Sequence, residues 1–323
     1  MKKHRILVTA VGAIVGYGIV DCLRLGQYDP YIIGTDIFSD AVGQFFCDEF
    51  VTSIPAADDN YPEFLVKLID DLEIDLVLFG IEQEISKISG VRESLGESVR
   101  KMVINKKSLI ELCEDKWETG LLLLENGLDE YVIDSSTNFD YSHCRKSLGD
   151  TFLLKPRRGR ASKGIITINS EKDFNFFGQK MGDEFMAQKI VGDIEDEYTV
   201  SVFGQGDGSF INSIYLRRKL SQEGATSKAT VVFDESLEVA TKRITELLKP
   251  EGPTNYQFRK EDSRVFLLEV NPRISSAVSI RAKFGYNEPD MCISRYIMNE
   301  RPAPSIISKG TATRYIKDLV IHS

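Results

Sequence analysis

Three short apolar runs in the first eighty residues, Ile6 to Ala10, Tyr31 to Thr35 and Asp75 to Phe79, are separated by segments long enough for a helix. The first spacer carries the helical pattern Ile19, Val20, Cys22, Leu23 and Leu25, and the second the amphipathic stretch Tyr61 to Leu72. Strands that alternate with helices pair in parallel, so about the first hundred residues are expected to form a doubly wound parallel sheet. Ligands of such sheets sit beyond the carboxyl ends of the strands. Asp36 and Gly80-Ile81-Glu82-Gln83-Glu84 lie at such ends. At 323 residues the chain exceeds what one core usually holds, which places the expected site between domains.

The pattern then changes. Lys106 to Asn126 reads as one helix, with Leu109, Leu112, Cys113, Trp117 and Leu121 to Leu124 at helical spacing and Gly127 as its stop. Thr151 to Lys155 and Ile165 to Asn169 read as strands around a loop of Arg, Gly and Ser. A helix at Glu171 to Met181 follows, then strands at Phe185–Ile190, Tyr198–Phe203, Ile211–Leu216, Thr226–Val232 and Val265–Val270, with a helix near Leu237–Leu248. This half is expected to be an antiparallel-rich α+β unit.

The 49 acidic against 40 basic residues, a net charge of −9, argue against non-specific binding to nucleic acid or anionic membranes. Five scattered cysteines without a Cys-x-x-Cys pair fit reduced thiols and a cytoplasmic location. The basic start Met1 to Arg5 is followed by a run broken by Thr9, Gly12, Gly16 and Gly18, so neither a signal peptide nor a membrane span is expected. Three histidines make a histidine zinc site or a Ser/His/Asp triad a poor expectation, and any metal should be held by oxygen.

Three segments carry chemistry. Val11 to Gly18 is glycine-rich at a helix start and, with Asp36, reads either as a structural turn or as a dinucleotide-type phosphate turn. The loop Lys155-Pro156-Arg157-Arg158-Gly159-Arg160-Ala161-Ser162-Lys163-Gly164 packs cations, glycines and a serine between two strands, which makes it an anion cradle or a solvated basic hairpin. It lacks a Gly-Lys-Ser or Gly-Lys-Thr ending. Glu269-Val270-Asn271-Pro272-Arg273 ends an apolar strand, so Glu269 and Asn271 point to one face, and the segment reads either as an oxygen set for magnesium, to which Gln257 on a neighbouring strand adds a third ligand, or merely as a strand-end turn.

The order Lys116, Lys155 with its loop, Gln188-Lys189-Ile190, Glu197-Tyr198-Thr199-Val200, Gln257, Glu269 and Asn271-Pro272-Arg273 resembles the ATP-grasp superfamily over essentially the whole chain. The stretch from Asn255 to Arg273 is most similar to the large subunit of carbamoyl-phosphate synthase, of which this chain has the length of a single grasp unit. The resemblance implies a Rossmann-like α/β domain over residues 1–105, a lid subdomain over 106–189 and a larger α+β subdomain over 190–323. It implies that Lys116 and Lys155 contact ATP phosphates and that Arg158, Ser162, Lys163 and Gly164 belong to a loop closing over them. Gln188, Lys189 and Ile190 would surround adenine, Glu197 the ribose, and Gln257, Glu269 and Asn271 magnesium or manganese. Ala161 replaces a common glycine, and Glu195 is the alternative to Glu197.

What the resemblance implies chemically is a carboxylate–amine or ammonia ligase working through an acyl phosphate. Cations beyond those on ATP are then needed, and Arg218, Arg273 and Arg281 are the candidates, with Arg217 and Lys219 expected in solvent. Thr226-Ser227-Lys228 and Ser275-Ser276 read as substrate contacts or as loop residues. A phosphotransferase stopping at a carbamoyl or acyl phosphate, a non-catalytic ATP-binding subunit and an NAD-dependent oxidoreductase are the other readings. The partners expected are small-molecule carboxylates and amines, with a homodimer as the default assembly.

Overall fold

The computed structural model describes residues 3–159, 164–178, 184–193, 196–222 and 224–321. Three sheets follow one another along the chain. The first is parallel, with strand order β3-β2-β1-β4. It is built from β1 (Arg5–Val8), β2 (Tyr31–Asp36), β3 (Glu49–Thr52) and β4 (Leu76–Leu78). Ile6, Leu7 and Val8 of β1 are buried on both faces, as expected of a central parallel strand. Sequence reading missed β3, because Glu49-Phe50-Val51-Thr52 is a half-exposed edge strand without an apolar run.

Helices α1 (Ile14–Leu25), α2 (Tyr61–Asp71) and α3 (Glu82–Val91) complete this layer. The glycines in the first turn of α1 and after β4 have a packing reason. A Cβ on Gly16 would lie 2.0 Å from the Ala10 carbonyl oxygen, and one on Gly80 would lie 2.1 Å from that of Thr9. Asp36 closes the glycine turn before α1, accepting from the Gly12 amide at 2.8 Å and the Phe38 amide at 3.0 Å.

The single helix expected over 106–126 is two, α4 (Lys107–Glu114) and α5 (Lys116–Glu125). Asp115 breaks it, because its extended backbone caps α5 and its side chain accepts from the amides of Trp117 and Glu118. Sequence periodicity runs on through the break because both helices bury their apolar faces in one core, where Leu109, Cys113 and Leu123 meet Tyr256 and Phe258.

The second sheet is antiparallel, in the order β5-β8-β6-β7. Its strands are β5 (Ser135–Ser136), β6 (Phe152–Pro156), β7 (Ile166–Ile168) and β8 (Phe185–Lys189). Helices α6 (Tyr141–Leu148) and α7 (Glu171–Phe177) cover it through Phe152, Phe174 and Leu148.

The third sheet has six strands, ordered β13-β12-β9-β10-β11-β14. They are β9 (Glu197–Gln205), β10 (Phe210–Leu220), β11 (Thr226–Val231), β12 (Glu251–Glu261), β13 (Arg264–Asn271) and β14 (Thr311–Thr313). One face buries α8 (Glu235–Leu248) with Val200, Val202 and Tyr256. The other packs Phe203, Ile214 and Leu216 against α1, α9 (Val278–Lys283) and α10 (Glu288–Cys292). That alternation along β9 is the period-two pattern of a strand buried on both sides. Among the described residues no helix is long and apolar enough to cross a membrane.

Replacing Gly16 by Ala should destabilise the protein by about 2–4 kcal/mol in urea unfolding, since the new methyl meets backbone rather than a movable side chain.

Candidate active site

A cavity of about 410 Å³ lies where the three sheets converge, and most residues singled out in the sequence line it. The first sheet contributes Ala13 to Val15 and Gly80 to Gln83, the strand-end positions expected of a parallel sheet. The second contributes Lys155, Gln188, Lys189 and Ile190, and the third Glu197, Arg218, Gln257, Glu269, Asn271 and Arg273.

Lys155 sits on β6 with only 8% of its surface exposed, and its Nζ lies 3.4 Å from Gln188 Oε1. Burial lowers its pKa to about 8, opposed by Glu269 and Glu197 and reinforced by Lys116 and Arg259. Gln188 is held in turn by donating to Ser135 Oγ at 3.0 Å. Lys116, the first residue of α5, donates to the Gly159 carbonyl at 2.8 Å and lies 3.7 Å from Glu269 Oε2. Lys189 pairs with Asp134 at 3.8 Å on the cavity rim.

The antiparallel register of β12 and β13 sets Gln257 opposite Glu269 and Asn255 opposite Asn271. Glu269 and Asn271 are therefore neighbours on one face, and Asn271 Nδ2 donates to Glu269 Oε1 at 3.1 Å. Burial pushes the Glu269 carboxyl up, but Lys116, the Asn271 bond, Lys155 and Arg218 outweigh it and hold the group below its ordinary range. Glu269, Gln257 and Asn271 thus offer one ionised carboxylate and two amide oxygens. Among the described residues no cluster of three His, Cys, Asp or Glu stands together, so a cation here needs a ligand's oxygens as well. That donor set fits magnesium shared with phosphates.

Arginines bind much of the remaining oxygen. Glu197 is clamped on both sides, by Arg218 at 2.7 Å on Oε1 and by Arg259 at 2.9 Å on Oε2. The carboxylate expected to take ribose hydroxyls already has two guanidinium partners, and the alternative, Glu195, lies outside the described residues. Arg218 also donates to Gln257 Oε1 at 2.7 Å. Arg273 reaches across to Glu82 at 3.0 Å, joining the third sheet to the first. The buried Nε atoms of Arg259 and Arg273 find no acceptor among the described residues. Arg217, alternating with Arg218 on β10, is half exposed and pairs with Asp196 at 2.8 Å.

Other expected residues stand elsewhere. Arg281 does not reach the cavity. It is fully buried behind it, donating to Ser275 Oγ at 2.9 Å, Thr199 Oγ1 at 2.8 Å and Asn255 Oδ1 at 2.5 Å, with Glu288 3.5 Å away. A guanidinium on the short helix α9 points into the sheet rather than outward, and only the tertiary packing sets that direction. Arg158 is three-quarters exposed beside Asp115, and neither it nor Gly164 lines the cavity. Arg157 is drawn to Asp115 at 2.8 Å and Glu118 at 2.9 Å, tying the loop's first turn to the start of α5. Arg160, Ala161, Ser162 and Lys163 lie outside the described residues. Thr226 is buried away from the cavity, whereas Ser275 and Ser276 line it.

Sequence reading gave no role to Arg259, Asn255 or Glu288. Arg259 had a signal, since it follows Gln257 by two on one strand and so shares its face. Asn255 had the same signal in the other direction, whereas Glu288 had none, being a carboxylate on a short helix met only through folding.

The family model described as "ATP-grasp in the biosynthetic pathway with Ter operon" matches residues 190–319. The carbamoyl phosphate synthase large chain of Thermotoga maritima is 21% identical over 213 residues, 62% of this chain, which spans 19% of that relative's length. The D-alanine–D-alanine ligase of Coprothermobacter proteolyticus is 25% identical over 247 residues, covering 68% of this chain and 78% of the relative. Among solved structures, the biotin carboxylase domain dimer of the Hydrogenobacter thermophilus 2-oxoglutarate carboxylase, bound to MgADP, ADP and bicarbonate, superposes with a TM-score of 0.73. It shares 15% identity and covers 96% of this chain and 74% of that one. The chain has the ATP-grasp fold in a single grasp unit and is similar to the carbamoyl phosphate synthase large chain.

Removing Arg281 leaves Glu288 buried without its cation. Arg281→Met should cost about 3–5 kcal/mol in urea unfolding, and pairing it with Glu288→Gln should recover part of that loss.

Proposed function

We propose that this ATP-grasp chain is an ATP-dependent ligase that activates a carboxylate as an acyl phosphate and passes the acyl group to an amine or ammonia. One observation carries the reading. Lys116, the desolvated Lys155, Arg218, Arg259 and Arg273 line one cavity with only three carboxylates, Glu82, Glu197 and Glu269, and with the amide groups of Gln257 and Asn271. Cations without enough anions, opposite an oxygen set too weakly charged to hold a metal alone, are complementary to a magnesium polyphosphate.

On this reading Lys116 and Lys155 hold the phosphates, and Ile133, Leu153, Ile190 and Leu268 provide the apolar slot for the base. Gln257, Glu269 and Asn271 hold magnesium, which neutralises charge developing on the phosphates. Arg273 stands between the metal residues and Glu82, where an incoming carboxylate meets both the transferred phosphoryl group and the first sheet. Arg218 keeps Gln257 and Glu197 in place. The protein's contribution is positioning and charge, and no side-chain nucleophile is required. The D-alanine–D-alanine ligase likeness favours an amine as acceptor. The likeness to the carbamoyl phosphate synthase large chain supports a second reading, in which the reaction stops at the acyl or carbamoyl phosphate.

ADP release assayed with magnesium, ATP and pooled carboxylates and amines decides between these. Release requiring both an acid and an amine, reduced about 100-fold or more in Glu269→Ala, is the expected result. Release with an acid or bicarbonate alone would favour the second reading.

The pH dependence has a defined sign. In the free protein Lys155 loses its proton near pH 8, with Glu269, Glu197, Lys116 and Arg259 as its charged neighbours, whereas a bound phosphate keeps it protonated. Affinity for MgADP should be flat below that value and fall by up to about tenfold per pH unit above it. Lys155→Met should bind more weakly and lose this dependence, as read by isothermal titration calorimetry.

A further inference from the structure

We propose that a second cavity, beneath the lid sheet and beside the nucleotide cavity, is a binding site for an uncharged aromatic small molecule and is coupled to nucleotide binding. The coupling, but not the site, rests on the function proposed above.

This cavity measures about 520 Å³, more than the first. Its walls are Trp117, Leu121 and Leu124 of α5, Leu148 of α6, Met186 of β8 and Leu267 of β13. Two helices and two sheets frame it, so it is built by regular elements rather than by loops. Several polar groups on its wall have partners within the protein. Ser135 Oγ donates to the Ile133 carbonyl at 2.8 Å and accepts from Gln188, while Thr119 Oγ1 lies 3.0 Å from the Leu112 and Asp115 carbonyls. The Arg264 guanidinium stacks 4.6 Å above the Phe266 ring. Lys116 and Glu269 face each other at 3.7 Å. The charged side chains of the wall, Lys116 and Arg264 against Asp129, Asp134 and Glu269, come close to cancelling one another, so the cavity does not call for a strongly charged guest and the occupant assigned to it is uncharged. An indole, a thioether and these four leucines favour a flat ring through stacking and sulfur contacts.

One position shows that the space is there to be filled. A Cβ on Gly120 would have a single neighbour within 4 Å, Val132 Cγ1 at 3.8 Å, so α5 leaves room on its cavity side. Lys116, Gln188, Leu268 and Glu269 line both cavities. An occupant of the second therefore touches residues that contact nucleotide and metal in the first, and any effect of one ligand on the other's affinity is reciprocal.

Trp117 is the chain's only tryptophan, which makes the site directly observable. The probe is N-phenyl-1-naphthylamine, an uncharged aromatic that brightens on leaving water and accepts energy from tryptophan. Saturable binding of one probe per full-length chain, with energy transfer from Trp117, is expected. Gly120→Leu should weaken it at least tenfold while changing MgADP affinity less than twofold, and because Leu favours a helix over Gly the fold should persist. Leu124→Arg, at the exposed rim, provides a second variant that should weaken binding to a similar degree. In the wild type, MgADP should shift the probe's affinity at least threefold. Unsaturable binding, or unchanged binding in both variants, overturns the site. Equal binding of the anionic 8-anilinonaphthalene-1-sulfonate overturns the assigned ligand class. Lack of any MgADP shift overturns the coupling. Probe binding in a protein that does not bind MgADP would overturn the nucleotide reading while supporting the second site.

Discussion

The buried guanidinium of Arg281 is the joint on which the active-site architecture depends. It has no exposed surface, and it links five segments: its own helix α9, Glu288 at the start of α10, Thr199 on β9, Asn255 on β12 and Ser275 in the turn after β13. Glu288 is bound in addition by Ser201 at 2.6 Å, so the carboxylate is held by both a cation and a hydroxyl. Such a group is costly to bury, and here both terminal nitrogens of the guanidinium are matched by acceptors while Nε has none among the described residues. The consequence is geometric. Asn255 and Ser275 line the cavity, and the network fixes both from behind, together with the helices that pack the third sheet on the first.

Above this base the cavity separates charge by sheet. The second sheet supplies the buried Lys155, and α5 supplies Lys116, while β12 and β13 supply amide oxygens and one carboxylate. Arg218 and Arg259 prevent the nearby Glu197 from adding a second uncompensated negative charge beside Glu269 by taking up both its oxygens. The result is a wall of weak negative charge opposite a wall of under-compensated positive charge. Burial makes both consequential, because desolvated charges interact more strongly than exposed ones. The Arg273–Glu82 pair closes the circuit to the parallel sheet, so a ligand in the cavity touches all three sheets at once.

How far this was legible depends on the range of the interactions involved. The parallel sheet was read from three apolar runs, since periodicity and burial are local consequences of strand geometry. The edge strand at Glu49–Thr52 was not, because half-exposure leaves no apolar run. The helix break at Asp115 was hidden for the opposite reason. Both α4 and α5 face one core, so the apolar spacing continues across a capping residue whose role shows only in its two amide bonds.

The sequence by itself determined the order of elements and the chemical inventory of the site. Lys116, Lys155, Gln188, Gln257, Glu269, Asn271 and Arg273 were all named from motif order, and the alternation of one strand predicted that Glu269 and Asn271 share a face. Tertiary structure alone decided which arginine faces the cavity and which one lies behind it. Arg218 and Arg281 look alike in the chain, yet one lines the cavity and the other lies wholly behind it. The direction of a long side chain is set by the partners that satisfy its donors, and those of Arg281 come from positions 6 to 82 residues away. Pairings over such distances exist only once the sheets have packed, which is why no local pattern announces them.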